Sequence, residues 1–135
     1  MNLTLHGTPE EVMRAVEALQ ELGEAWDLSP KEIFGLSLAL EECGSNIVNH
    51  SLQRDPAQTF EVVIDHTANT VKIELRDRGP AFDPTAAPTV PLEADDDLPP
   101  GGWGIQLVRR YIDDIQYCRD GDENVLRLTK HLVRP

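Results

Sequence analysis

The sequence predicts an α+β fold, a two-layer sandwich in which about three helices cover one face of a mostly antiparallel sheet. Three observations predict it. Two consecutive segments near the start repeat apolar residues at helical spacing, each behind a capping signature. Two pairs of alternating apolar and polar runs, one mid-chain and one at the end, read as hairpins. A single further helical segment lies between the two hairpins. The chain has 135 residues, a length that suits one domain with a single core, and it shows no internal repeats.

The elements follow in order. Asn2 to His6 alternates and reads as a short edge strand. Thr8 suits a helix N-cap, Pro9 the first helical position, and Glu10 and Glu11 the positive end of the helix dipole. Val12, Ala15, Val16, Leu19 and Leu22 then recur at helical spacing, with a break possible at Gly23 or a run to about Trp26. Ser29, Pro30 and Glu32 have capping-box spacing. Ile33, Leu36, Leu40, Cys43, Gly44 and Ile47 continue as a core stripe, and this helix is expected to reach His50 or Leu52. Gln53 to Gln58 reads as a turn.

Phe60 to Asp65 and Val71 to Arg76 form the first hairpin, turning at Ala68 and Asn69. Gly79 to Pro100 holds most of the ten prolines and the acidic run Asp95 to Asp97. It has no periodicity, and loops of this length in a compact domain are usually functional or disordered. Trp103 to Asp114 reads as the third helix. Ile115 to Arg119 and Asn124 to His131 form the last hairpin, turning at Asp120-Gly121-Asp122.

Composition excludes several classes. The formal charge of −12 argues against nucleic acid and anionic membrane, which reward clustered Lys and Arg. No secretory leader and no membrane-length apolar run are seen, so a cytoplasmic protein is expected. Cys43 and Cys118 lack zinc-site spacing and fit reduced thiols, Cys43 as a small core residue.

Three segments carry the chemistry. In LEECGSNIVNH (Leu40 to His50), Glu42 and Asn46 lie about 40° apart on a helix, and Asn49 about 20° to the other side of Glu42. The core stripe lies roughly opposite, and Gly35 and Ala39 leave room beside the polar set. A carboxylate and an amide one turn apart suit a general base and a ligand for a hard cation such as magnesium. A solvated helix face is the plain alternative, and a Glu42-Asn46-His50 metal set a weaker one. In RDRGPAFD (Arg76 to Asp83), Asp77 just past a strand accepts hydrogen bonds only, which suits an exocyclic amine. Gly79 lets a flat ring approach the backbone and Phe82 supplies an apolar wall. A plain turn fits the same residues. In GGWGIQLV (Gly101 to Val108), Gly101, Gly102 and Gly104 free the backbone N–H groups at a helix start for phosphate. A flexible hinge is the alternative. No GK[ST] follows, so this is not a Walker A loop. Trp103 covers the site or anchors the helix.

In this order and spacing the three segments resemble the N, G1 and G2 boxes of the GHKL (Bergerat-fold) ATP-binding superfamily. Within it the chain is most similar to the small anti-sigma-factor serine/threonine kinases of the RsbW-like family. The likeness spans nearly the whole chain, including the GGWGIQLVRRYIDDIQY run and final hairpin. It implies a Bergerat ATP-binding fold over residues 1–135, with ATP and Mg²⁺ as cofactors. It implies Glu42 as catalytic carboxylate rather than the preceding Glu41, which the helical angle disfavours, and Asn46 as the Mg²⁺ ligand. Asn49, Asp77, Gly79, Phe82, Gly102, Trp103, Gly104 and Ile105 are the implied nucleotide contacts, with Asp77 on the adenine amine, and residues 83–100 form the lid. No lysine follows the glycines; Arg109 and Arg110 are candidate phosphate partners. The resemblance further implies transfer to a serine or threonine of a STAS-type anti-sigma antagonist, sequestration of a sigma factor or other output protein, and a possible homodimer. The alternative is a non-catalytic ATP-binding module that titrates a protein partner. No phosphoacceptor helix domain of a histidine kinase is seen.

Overall fold

The computed structural model describes residues 1–86 and 104–133. The element order is β1 (Asn2–His6), α1 (Pro9–Ala25), α2 (Pro30–Asn46), a π-turn (Ile47–Ser51), β2 (Thr59–His66), β3 (Thr70–Asp77), a 3-10 turn (Pro84–Ala86), α3 (Gly104–Tyr111), β4 (Asp114–Asp120) and β5 (Glu123–His131). The five strands form one sheet in the order β1-β2-β3-β5-β4, and every pairing is antiparallel.

The helices begin where their caps require. The Thr8 side chain accepts from Glu11 N at α1, and Ser29 and Glu32 satisfy each other's backbone N–H groups at α2. Glu32 also accepts from Val133 N, so the same carboxylate ties the start of α2 to the end of the chain. The apolar stripes of the helices face one side of the sheet. Phe60, Val62 and Ile64 of β2, Val71, Ile73 and Leu75 of β3, and Leu126 and Leu128 of β5 meet Val12, Val16, Leu19, Leu36, Leu40 and Cys43 from the helices. Gly35 is filled by Tyr111: a Cβ there would lie 2.8 Å from Tyr111 Cβ, so the space left at Gly35 seats α3 rather than a ligand.

The α-helical hydrogen bonding of α2 stops at Asn46, and a π-turn continues the segment through Ser51. Gln53 and Arg54, both in the left-handed region, end it. Gly121, with φ of +61°, makes the β4–β5 turn.

The other face of the sheet carries an ion network. Glu74 accepts from Arg76 Nε and Arg127 Nε, each at 2.8 Å, and Arg76 also reaches Glu123 at 3.4 Å. Partial burial works against the Glu74 charge, but the bonds from the two arginines more than offset it and hold its carboxyl below the ordinary range. A lowered folded-state value stabilises above the unfolded pKa, and that contribution is lost as pH falls through the folded value. Glu74→Gln is therefore expected to lower unfolding stability by about 1 kcal/mol at neutral pH, the scale of exposed ion pairs. The deficit should shrink below about pH 4.3, where unfolded glutamate protonates. Urea unfolding of both proteins at the two pH values measures it.

Candidate functional site

The end of α2, the end of β3 and the turn after it meet across one edge of the sandwich. A cavity there is lined by Cys43, Asn46 and Ser51 on the helical side, Asp77, Tyr117 and Asn124 from the sheet, and Phe82 and Pro84 from the connecting turn. Its volume is about 20 Å³, close to what one water molecule needs, so a purine enters only if part of the wall moves. Phe82 and Pro84 lie after β3, on the turn rather than on a strand or α-helix. The Phe82 ring stacks on His50, with centroids 5.7 Å apart.

Asp77 is the last residue of β3 and is 4% exposed. Its Oδ1 accepts from Gly79 N at 2.9 Å and from Asn124 Nδ2 at 3.0 Å. Both bonds from described residues thus fall on one oxygen, which leaves Oδ2 as an acceptor for a ligand amine. Asn46 is half-buried on the cavity wall, and its amide makes no hydrogen bond with a described residue. Cys43 is a buried core thiol, pushed up to about 12 first by burial and then by the charge of Glu42.

Glu42 lies one helical turn before Asn46 and is half-buried. Its carboxylate rests against Gly104 at the start of α3, at the place a Cβ would occupy. Burial, and then the neighbouring charge of Glu41, hold the Glu42 carboxyl above its ordinary range. The three segments separated in sequence therefore converge: Glu42 touches the third, and Asn46 shares a cavity with Asp77 and Phe82 of the second.

Other candidate residues lie elsewhere. Asn49 is exposed, and its Oδ1 accepts from Arg54 Nε at 2.7 Å. The π-turn begins at Ile47 and turns less per residue than the ~100° of an α-helix, so the phase computed for Asn49 slips away from Glu42 and Asn46. Gly79 approaches protein rather than open space: a Cβ there would lie 2.6 Å from Ser51 O. The Ile105 side chain, in the first turn of α3, is packed in the core at 5% exposure. Arg109 donates to Thr85 O, and Arg110 lines a groove beside Tyr111 and Lys130. Gly101, Gly102, Trp103 and residues 87–100 of the expected lid lie outside the described residues.

Sequence reasoning missed Tyr117, Ser51 and above all Asn124. Asn124 is 4% exposed and pairs with Asp77 in the β3–β5 register. Nothing local marks it, because that register joins residues 47 apart.

The residues fit an adenine nucleotide with a divalent cation. Asp77 and Asn46, whose amide makes no hydrogen bond with a described residue, line one cavity, and no three His, Cys, Asp or Glu side chains converge among the described residues. A cation held here would rest on Asn46, ligand oxygens and water.

The profile of the histidine kinase-like ATPase domain matches residues 5–130. The chain is 34% identical over 99 residues to the serine/threonine-protein kinase BtrW of Bordetella bronchiseptica, covering 73% of this chain and 70% of that protein. It is 29% identical over 118 residues to the serine-protein kinase RsbW of Bacillus cereus, covering 84% and 70%. The fold matches the RsbU and RsbW domains of a Mycobacterium tuberculosis protein with a TM-score of 0.66 at 15% identity, over all of this chain and 33% of that one. It matches the SiaB–SiaC complex of Pseudomonas aeruginosa, also with a TM-score of 0.66, at 12% identity, over 98% of this chain and 89% of that one. An α+β sandwich whose acid, amide and aspartate boxes meet at one edge, and whose sequence matches this profile nearly end to end, belongs to the histidine kinase-like ATPase domain family, in the branch that holds the serine/threonine-protein kinases BtrW and RsbW.

Proposed function

We propose that this chain is an ATP-dependent serine/threonine protein kinase of the partner-switching type. The observation that carries the reading is the convergence of Glu42, Asn46 and Asp77, from segments far apart in sequence, at one edge of the sandwich. Asp77 would accept from the adenine amine. Asn46 would hold Mg²⁺, which when bound neutralises phosphate charge. Glu42, one turn away, would take the proton of the attacking hydroxyl. Backbone N–H groups at the start of α3 would face the phosphates. Positioning and charge neutralisation account for most of the rate in such transfers.

The relatives named serine-protein kinases support a protein hydroxyl as acceptor. The substrate in this reading is a STAS-type antagonist protein, and the same surface sequesters a sigma factor or other output partner until phosphorylation changes which partner is held. Two free cysteines suit a reducing cytoplasmic setting. A purely titrating ATP module would have no task for Glu42, which is held half-buried beside Gly104.

The test is incubation with labelled Mg-ATP and a candidate STAS protein. Asn46→Ala is expected to weaken Mg-dependent nucleotide binding by about tenfold or more, the scale of a lost ligand to a charged group. Wild-type binding without labelling of any partner would leave only the titrating module standing. Asn46→Ala binding Mg-ATP like wild type would remove the metal assignment.

A further inference from the structure

The side chain with the most polar contacts in the cavity wall belongs to none of the three boxes. Asn124 Nδ2 lies 3.0 Å from Asp77 Oδ1, 2.9 Å from Pro80 O and 3.5 Å from Gly79 O. Its Oδ1 accepts from Phe82 N at 3.1 Å and from the Tyr117 hydroxyl at 2.5 Å. Arg119 adds a bond to Gly79 O at 2.8 Å.

These contacts fix the orientation of the amide. Turning it over would set its oxygen against Asp77 Oδ1, Gly79 O and Pro80 O, and its NH₂ against the Phe82 N–H, in a largely buried place where unpaired polar groups are costly. Tyr117 is the one neighbour whose hydroxyl can adapt. Held this way, the amide gives Asp77 a second donor on Oδ1, beside Gly79 N. The carboxylate is thereby aimed, with both of these bonds on Oδ1. The same amide accepts from the backbone N of Phe82, whose ring lines the cavity. One side chain thus ties the Asp77 carboxylate to the Phe82 wall of the cavity.

We propose that Asn124, locked by Tyr117, is a positioning and specificity-determining residue for the nucleotide base, selecting a ring that presents an exocyclic amine over one that presents a carbonyl. The inference rests on the adenine-nucleotide reading given above. ADP and IDP differ in that substituent and in the ring N1 beside it, which accepts in adenine and carries a proton in hypoxanthine; the hypoxanthine oxygen would face the Asp77 acceptor.

Titration calorimetry with Mg-ADP and with Mg-IDP tests it. Wild type is expected to prefer ADP by about 100-fold or more, as sites built to hydrogen-bond a polar group do. Asn124→Ala should lower ADP affinity by about tenfold and reduce the ADP/IDP ratio by a similar factor, because Asp77 is no longer held as a fixed acceptor. Tyr117→Phe, which removes one hydroxyl and keeps the ring, should reduce the ratio by about threefold with the fold intact by circular dichroism. A residue that merely stabilises the fold would weaken ADP and IDP equally. Unchanged ratios in both variants, with wild type binding ADP, overturn the role of Asn124 and leave the nucleotide reading in place. A wild type that binds neither nucleotide overturns the nucleotide reading itself.

Discussion

Glu42→Gln is expected to lower phosphoryl transfer to the protein substrate by about 10²–10⁴-fold, the usual contribution of a positioned general base. Mg-ATP affinity should stay within about twofold of wild type, because uncharged glutamine keeps the size of the side chain and Asn46 and Asp77 are untouched. The pH dependence follows from the cause of the shift. Burial first, and the Glu41 charge second, hold the Glu42 carboxyl above its ordinary range. A base works only when ionised, so the acidic limb of transfer should lie above the ~4.3 of a free glutamate. Glu41→Gln removes the second cause and should move that limb towards lower pH. The stability sign is opposite to that of Glu74. A raised folded-state value means the native protein binds more protons than the unfolded chain between the two values, so stability falls as pH rises through that window. Glu42→Gln should then unfold no earlier than wild type at neutral pH. Labelled-phosphate transfer across pH, beside thermal unfolding, separates these effects. Wild-type transfer by Glu42→Gln would remove Glu42 from the reaction.

Gly79→Ala is expected to cost about 1–3 kcal/mol of stability, the range for forcing an added methyl into a filled place. The same change should weaken nucleotide binding by about tenfold or more. The new Cβ would lie 2.6 Å from Ser51 O and 2.7 Å from Ser51 Cβ. Neither atom is the end of a flexible side chain; both belong to Ser51, a buried residue of the π-turn. The end of β3 must therefore draw away from the end of α2. Gly79 N donates to Asp77 Oδ1, so the shift reaches the carboxylate proposed to read the base. Gly121→Ala is the control. Its backbone is left-handed but nothing lies within 4 Å of the added carbon, so it should lose about 1 kcal/mol and keep full nucleotide affinity. Urea unfolding and calorimetry on both variants make the comparison. If Gly79→Ala retains wild-type affinity, the joint between Gly79 and Ser51 does not support the site.

Features set by near neighbours were legible in the sequence. The caps at Thr8 and Ser29 and the stripes of α1 and α2 follow from short-range spacing. Both hairpins turn where polar residues and Gly121 suggest. The strand ends reach one residue further than alternation indicated, which makes Asp77 a strand residue rather than the first of the turn. Glu42, Asn46 and Asp77 were legible as a spaced set. Asn49 instead meets Arg54, because the segment that carries it becomes a π-turn and departs from α-helical phase. Asn124 was invisible for a different reason: its partner is fixed by strand register across the β3–β5 pairing, and no local pattern encodes a register between distant strands.

That pairing has a consequence for how the protein gains its ligand. β5 enters the sheet between β3 and β4, so the last strand in sequence is an interior one. The Asp77–Asn124 contact therefore closes a loop of chain that includes the whole connection through α3, and it cannot form until the C-terminal hairpin has docked. Loop closure of this kind is entropically late. A nucleotide that needs Asp77 aimed by Asn124 thus recognises only the fully threaded sheet. Under the proposed reading, its binding would draw the folding equilibrium towards that state, so the ligand would act as a clasp on chain topology as well as a reactant.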